Sequence, residues 1–258
     1  MWRDYHNTEY AVEGGVLYLK VAYPETAFAP PRGPEVGIEH YMRIIECCSR
    51  LKSPTIIRSV SGAVLEDLLE MFPRAKARTD RAWSDYLYNS SDLIHLPGRK
   101  FSGQRNHINR FMREHAEWSF EPITEDNRTD AVVFIEKHAE ENKKDSLEYL
   151  VGVEKALEVL NNTEKYNQLG GILYVCGLAV GVTLGEIVDD TLFVHTEKAD
   201  TTYHGSYPML MNQFAARYAT EDVLYINREE DDGVEGLRVS KMSYHPVDLL
   251  DKYKVEIF

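Results

Sequence analysis

Residues 170–199, GGILYVCGLAVGVTLGEIVDDTLFVHTEKA, carry an apolar period of two that is broken at Gly177 to Ala179 and again at Asp189-Asp190. Alternation of this kind puts every second side chain on one face of an extended chain, so the stretch predicts a meander of three strands. The period changes in GSYPMLMNQFAARYA (205–219), where Tyr207, Leu210, Met211, Phe214 and Ala215 recur at helical spacing. Ser206 is placed to cap that helix, and Pro208 falls in its first turn, where a missing N–H is tolerated. An apolar run from Val223 to Ile226 predicts the next strand. It ends abruptly in Asn227, Arg228, Glu229, Glu230, Asp231 and Asp232, followed by a short helix anchored by Leu237 and a terminal strand in KYKVEIF (252–258).

Upstream, EYAVEGGVLYLKVAY (9–23) reads as a hairpin turning at Gly14-Gly15, because two glycines supply the positive φ of a tight turn. Ile38, Tyr41, Ile44, Ile45 and Cys48 form a helical stripe, and TIIRSV followed by AVLEDLLEMFP repeats a strand and a helix. Three amphipathic helices are expected in SGQRNHINRFMREHAE (102–117), TDAVVFIEKHAEENKK (129–144) and DSLEYLVGVEKALEVLNN (145–162). The first third is thus a shorter, weaker echo of the rest, and the boundary is expected at 94/95, giving domains 1–94 and 95–258. The fold class is α/β, with mixed sheets flanked by helices.

The chain has 258 residues, 43% of them hydrophobic, enough for two cores. A net charge of −13 excludes broad electrostatic attraction to DNA or to anionic lipid, since phosphate binding needs concentrated positive charge. With no apolar run long enough to span a bilayer and no basic-then-apolar start, no stable membrane insertion is expected, and the expected location is cytoplasmic. Cys47, Cys48 and Cys176 fit neither a disulfide framework nor a CxxC metal site, so reduced buried thiols and no bound metal are expected.

Three segments carry a resemblance: SDYLYNSSDLIHLPGRKFSGQRNHINRF (84–111), FVHTEKADTTYHGSY (193–207) and YINREEDDGVEGLRVSKMSYHPVDLLDKY (225–253). Together with the order helices, meander, helix, strand, they resemble a bacterial family of unknown function named for the C-terminal domain of phosphatidylglycerol lysyltransferases. The resemblance implies two tandem GNAT-like domains (the fold of GCN5-related N-acetyltransferases), shared with Fem-type enzymes that move amino acids from aminoacyl-tRNA. Family members carry a further helical stretch before the tryptophan-arginine pair seen here as Trp2-Arg3, so the first domain is expected to be abridged. Acetyl-CoA-using GNAT proteins carry a Gln/Arg-x-x-Gly-x-Gly/Ala loop for pyrophosphate. KADTTYHGSYP (198–208) has Gly205 alone and Pro208 in its place, which argues against acyl-CoA, and no cofactor is expected.

Candidate catalytic residues are His195, Glu197 and Tyr203. Alternation puts His195 and Glu197 on one face, where either could take a proton from an attacking amine and Tyr203 could donate one. GNAT folds splay two strands apart at this point. The polar block after the strand is a candidate ligand site, since α/β proteins bind at the carboxyl ends of strands. Glu229, Glu230 and Asp231 could receive an ammonium; Arg228, Arg238 and Lys241 could hold phosphate or carboxylate, with Asn227 and Lys198 alongside. Arg99, Lys100, Arg105, Asn106, His107 and Arg110, with Arg113, offer phosphate donors suited to a tRNA acceptor end. The leading reading is transfer of an aminoacyl group from a tRNA-type donor, or a small-molecule one, to an amine or hydroxyl. A non-catalytic small-molecule binding or regulatory protein is the alternative, and an acyl-CoA N-acyltransferase the third.

Overall fold

The computed structural model describes residues 6–142 and 147–258, and the Trp2-Arg3 pair lies outside them. The first part of the chain runs β1 (Glu9–Glu13), β2 (Val16–Val21), β3 (Ala27–Phe28), α1 (Ile38–Leu51), β4 (Thr55–Val60), α2 (Gly62–Met71) and β5 (Lys76–Thr79). Then follow β6 (Asp85–Asn89), α3 (Ser90–His95), α4 (Ser102–Glu114), β7 (Trp118–Pro122), α5 (Arg128–Glu141) and α6 (Leu147–Leu160). The meander is β8 (Leu169–Val175), β9 (Leu178–Val188) and β10 (Thr191–Ala199), with its breaks where the two-residue period lapses. After it come α7 (Ser206–Tyr218), β11 (Tyr225–Asn227), α8 (Glu235–Met242), β12 (Asp248–Leu250) and β13 (Tyr253–Ile257).

Contacts divide the chain into one unit of Met1–Asp85 with Leu250–Phe258 and a second of Tyr86–Leu249. This differs from the division read along the chain. The terminal strand β13 is inserted between β4 and β5 in the first sheet, ordered β1-β2-β3-β4-β13-β5, because Val255 and Ile257 complete the core of Ile44, Ile57, Val60 and Leu68. Chain order cannot reveal such a return, since a strand of mixed apolar and charged residues fits either sheet edge or centre.

The second sheet is ordered β12-β6-β11-β10-β9-β8-β7. One face packs on α7, with Leu173, Val180, Leu192, Val194, Leu210 and Phe214 in a common core. The other packs on α5 and α6 through Ile172, Val182, Leu184, Phe134 and Leu160. Both faces of β8 and β9 are therefore covered, which explains their nearly continuous apolar runs.

Three local expectations are corrected. α7 starts after Gly205, not through a Ser206 side-chain cap; the Ser206 hydroxyl donates instead to the Asp200 carbonyl at 2.8 Å. Gly205 has φ of 89°, and a Cβ there would come within 2.3 Å of the His107 carbonyl oxygen, so this glycine lets α4 approach. Cys176 is exposed in the β8–β9 turn, where a left-handed backbone prevents burial, while Cys48 is buried as expected.

Candidate functional site

β10 pairs with β11 in parallel over only three residues, Thr191–Phe193 against Tyr225–Asn227. β11 ends there, while β10 runs on to Ala199, paired on its other side with β9. Opposite Gly185 stands Val194, but opposite Leu184 stands Thr196, so His195 is the extra residue of a β-bulge. The bulge changes the phase of every side chain after it. Thr196 and Lys198 lie opposite Leu184 and Val182 on the α5–α6 face, whereas Glu197 and Ala199 lie opposite Thr183 and Gly181 on the α7 face. His195 and Glu197 therefore point to opposite faces, not to one; the inserted residue overrides simple alternation. Neighbours agree, because the Lys198 ammonium sits 5.9 Å from the Tyr149 ring of α6, while Glu197 raises the pKa of Tyr207 on α7.

The polar block leaves β11 as a tight turn that serves both faces. Asn227 Oδ1 accepts from the Glu229 N–H at 2.7 Å, and Glu229 and Asp232 hold left-handed backbones at φ of 55° and 51°. The Lys241 ammonium of α8 donates to the carbonyls of Arg228, Glu229 and Glu230, so its three N–H bonds match three acceptors. Burial, with the nearby Arg228 charge, pushes its pKa down. Lys241 is thus a clamp on the turn. Asp231, fully buried, accepts from Tyr86 Oη at 2.6 Å, from Arg238 Nε and Nη2 at 2.8 and 2.9 Å, and from the Gly233 N–H at 2.9 Å. The Arg238 guanidinium holds this carboxyl well below the usual carboxylate range. These bonds anchor α8. Leu237 does not, being 46% exposed, because α8 has no buried residue and is held through its polar side.

On the α7 face, Arg228 is 8% exposed and donates from Nη2 to both Glu197 oxygens at 3.1 and 2.9 Å. Its guanidinium carbon lies 4.9 Å from the Tyr244 ring centre and 5.9 Å from that of Tyr88. Burial raises the pKa of both tyrosines, so they stay neutral phenols. On the other face, His195 Nδ1 is 2.6 Å from Glu229 Oε1 and Nε2 is 3.1 Å from Glu186 Oε1; Gln168 donates to the second Glu186 oxygen at 3.1 Å. Burial alone would lower the His195 pKa, but Glu229 and Glu186 outweigh it and raise it. An imidazolium donating from both nitrogens has no lone pair for abstracting a proton.

Tyr203 packs against the α7-side core and lies 5.1 Å from the His115 ring. Tyr207 is the tyrosine that feels Glu197, and burial is the main cause of its raised pKa. Tyr86, Tyr88 and Tyr244, which shape the site, escaped the sequence reading. The alternation Asp85-Tyr-Leu-Tyr-Asn was a usable signal for β6, whose Tyr86 and Tyr88 are buried. In the basic segment, Arg99, Lys100, Asn106, His107 and Arg110 are exposed. Arg105 caps the end of α3 through the Leu96 and Gly98 carbonyls, Lys100 pairs with Asp92 at 3.2 Å, and Arg110 pairs with Glu114 at 2.8 Å. No helix among the described residues is long and apolar enough to cross a membrane.

The interrupted parallel pair beside a bulged strand belongs to the GNAT-like class, here in the tandem arrangement. Residues 1–256 match the family described as phosphatidylglycerol lysyltransferase, C-terminal, and the chain belongs to that family. A conserved protein of unknown function from Bacteroides thetaiotaomicron is 36% identical, with a TM-score of 0.92 over 100% of this chain and 88% of that one. The C-terminal domain of a putative lysylphosphatidylglycerol synthetase from Agrobacterium fabrum is 12% identical, with a TM-score of 0.72 over 97% of this chain and 84% of that one. FemX is 8% identical at 0.62, over 96% and 89%. An uncharacterised protein of Mycoplasmoides gallisepticum is 22% identical over 187 residues, 67% of this chain; the match spans about half of that relative, 56% of its length.

Proposed function

We propose that the protein transfers an aminoacyl group from a tRNA-type donor to an amine or hydroxyl acceptor. The observation that carries this reading is the buried Arg228–Glu197 pair at the point where β10 loses β11 as its partner. A cation and an anion fixed side by side suit a donor head that presents an ammonium and a carbonyl together. Family membership and the FemX-like fold support the same class. The acceptor's lone pair attacks the ester carbonyl, the amide or ester bond forms, and the ribose hydroxyl leaves with the acceptor's proton. Aminoacyl esters are already activated, so positioning and carbonyl polarisation carry the rate. Of the three catalytic candidates, Glu197 keeps a role at the reacting group, whereas His195 orders the turn through Glu229 and Tyr203 belongs to the core. Arg99, Asn106, His107 and Arg113 of the exposed basic segment are where the acceptor end of the tRNA would rest.

Incubation with tRNA charged with labelled amino acids, in the presence of a pool of small amines and alcohols, tests the reading. Label should move from tRNA to acceptor with the wild type and not with Glu197→Gln. Transfer from acetyl-CoA, or a micromolar Kd for it by calorimetry, would instead favour the acyl-CoA reading.

A further inference from the structure

Two buried polar atoms beside Glu197 have no hydrogen-bond partner among the described residues: Arg228 Nη1 and Thr183 Oγ1. Arg228 is 8% exposed and Thr183 is 1% exposed, so the protein shields both from bulk water. Native folds leave few such groups, and leaving one unmet costs about 1–3 kcal/mol. The two flank one carboxylate. Thr183 stands directly opposite Glu197 across the β9–β10 ladder, on the same sheet face, and Arg228 reaches that carboxylate through Nη2 alone. Cross-strand neighbours have Cβ atoms about 4.5–5.5 Å apart, which places the Thr183 hydroxyl within side-chain reach of Glu197.

The three groups form an ordered set. Arg228 Nη1 is a donor fixed against the Tyr88 and Tyr244 rings. Glu197 can accept about four hydrogen bonds, and Nη2 occupies two of those positions. Thr183 Oγ1 can accept or donate. The complement is a molecule with one carbonyl oxygen and, next to it, an ammonium with two or three N–H bonds to give. We infer that Arg228 Nη1, Glu197 and Thr183 form a recognition site for an unblocked α-aminoacyl head, with the carbonyl oxygen on Arg228 Nη1 and the α-ammonium on Glu197 and Thr183. N-acylated amino acids and simple acyl groups lack the ammonium and would leave Glu197 and Thr183 unmet. The inference rests on the aminoacyl reading and adds what the donor must present.

The test is calorimetry and NMR on the full chain with glycinamide, L-alaninamide and L-lysinamide, each against its N-acetyl counterpart. At least one free amide should bind ten-fold or more tighter than its blocked form and shift the Arg228 guanidinium and Thr183 signals. Equal binding of the two forms, or binding by none of them, overturns the site. Thr183→Val separates recognition from structure. It removes a hydroxyl without a partner at nearly constant volume, so stability should hold or rise, while affinity for the free amide should fall about ten-fold, the factor that 1.4 kcal/mol represents. Unchanged affinity in that variant also overturns the site. Discrimination by the amides without transfer from charged tRNA would leave this site standing and remove the transferase reading; transfer without discrimination would do the reverse.

Discussion

The turn after β11 and the helix α4 looked alike in the sequence, each a dense cluster of charge read as a ligand surface, and the fold treats them in opposite ways. Charges of the turn are drawn inward and matched almost one to one: Arg228 with Glu197, Arg238 with Asp231, Lys241 with three carbonyls. Those of α4 stay in water and pair with near neighbours, as Arg110 does with Glu114 one turn along. Composition reports how much charge a segment has. Burial decides how much that charge weighs, because an ion pair out of water cannot lose a partner cheaply and one in water can.

Breaking the comparison at its strongest point means cutting the Arg228–Glu197 pair. Arg228→Ala leaves Glu197 with an uncompensated charge beside Tyr88 and Tyr244, and urea unfolding should show a loss of about 3–5 kcal/mol. A loss under about 0.5 kcal/mol would put the turn in the same category as α4. An intermediate effect is expected at His195. Its folded pKa lies above the unfolded value of about 6.5, so the stability it contributes is complete below about pH 6.5 and is lost as pH rises through the folded pKa. NMR titration of the ring should show the raised value, and Glu229→Gln should lower it and flatten the stability loss on the alkaline side. No change in the titration would mean that Glu229 does not hold the imidazolium. The smallest effects belong to α4. Arg110→Ala and Lys100→Ala should each change stability by no more than about 0.5 kcal/mol, shrinking further in high salt.

Legibility followed the same line. The meander, α7 and the hairpin of β1 and β2 were readable because their periods are uninterrupted and their breaks fall on glycine or paired aspartates. β6 was missed, since two buried tyrosines among polar residues look like a loop, and with it went half of the site's aromatic wall. Members of the polar block were correctly picked as a group, yet their roles were not: Lys241 and Arg238 were read as ligand-holding cations and are spent on the protein itself. Thr183 left no trace, as a threonine inside an apolar strand is ordinary β composition.

The bulge at His195 has a consequence for mutation that side-chain chemistry alone does not show. Replacing His195 by another residue changes one contact and keeps the frame of the strand. Removing it restores plain alternation, so that Glu197 would exchange faces with Lys198 and present a lysine to Arg228 in place of a carboxylate. A lost codon at this position is therefore a charge reversal at a distance, and a second codon lost or gained nearby in β10 should repair it where no single substitution can.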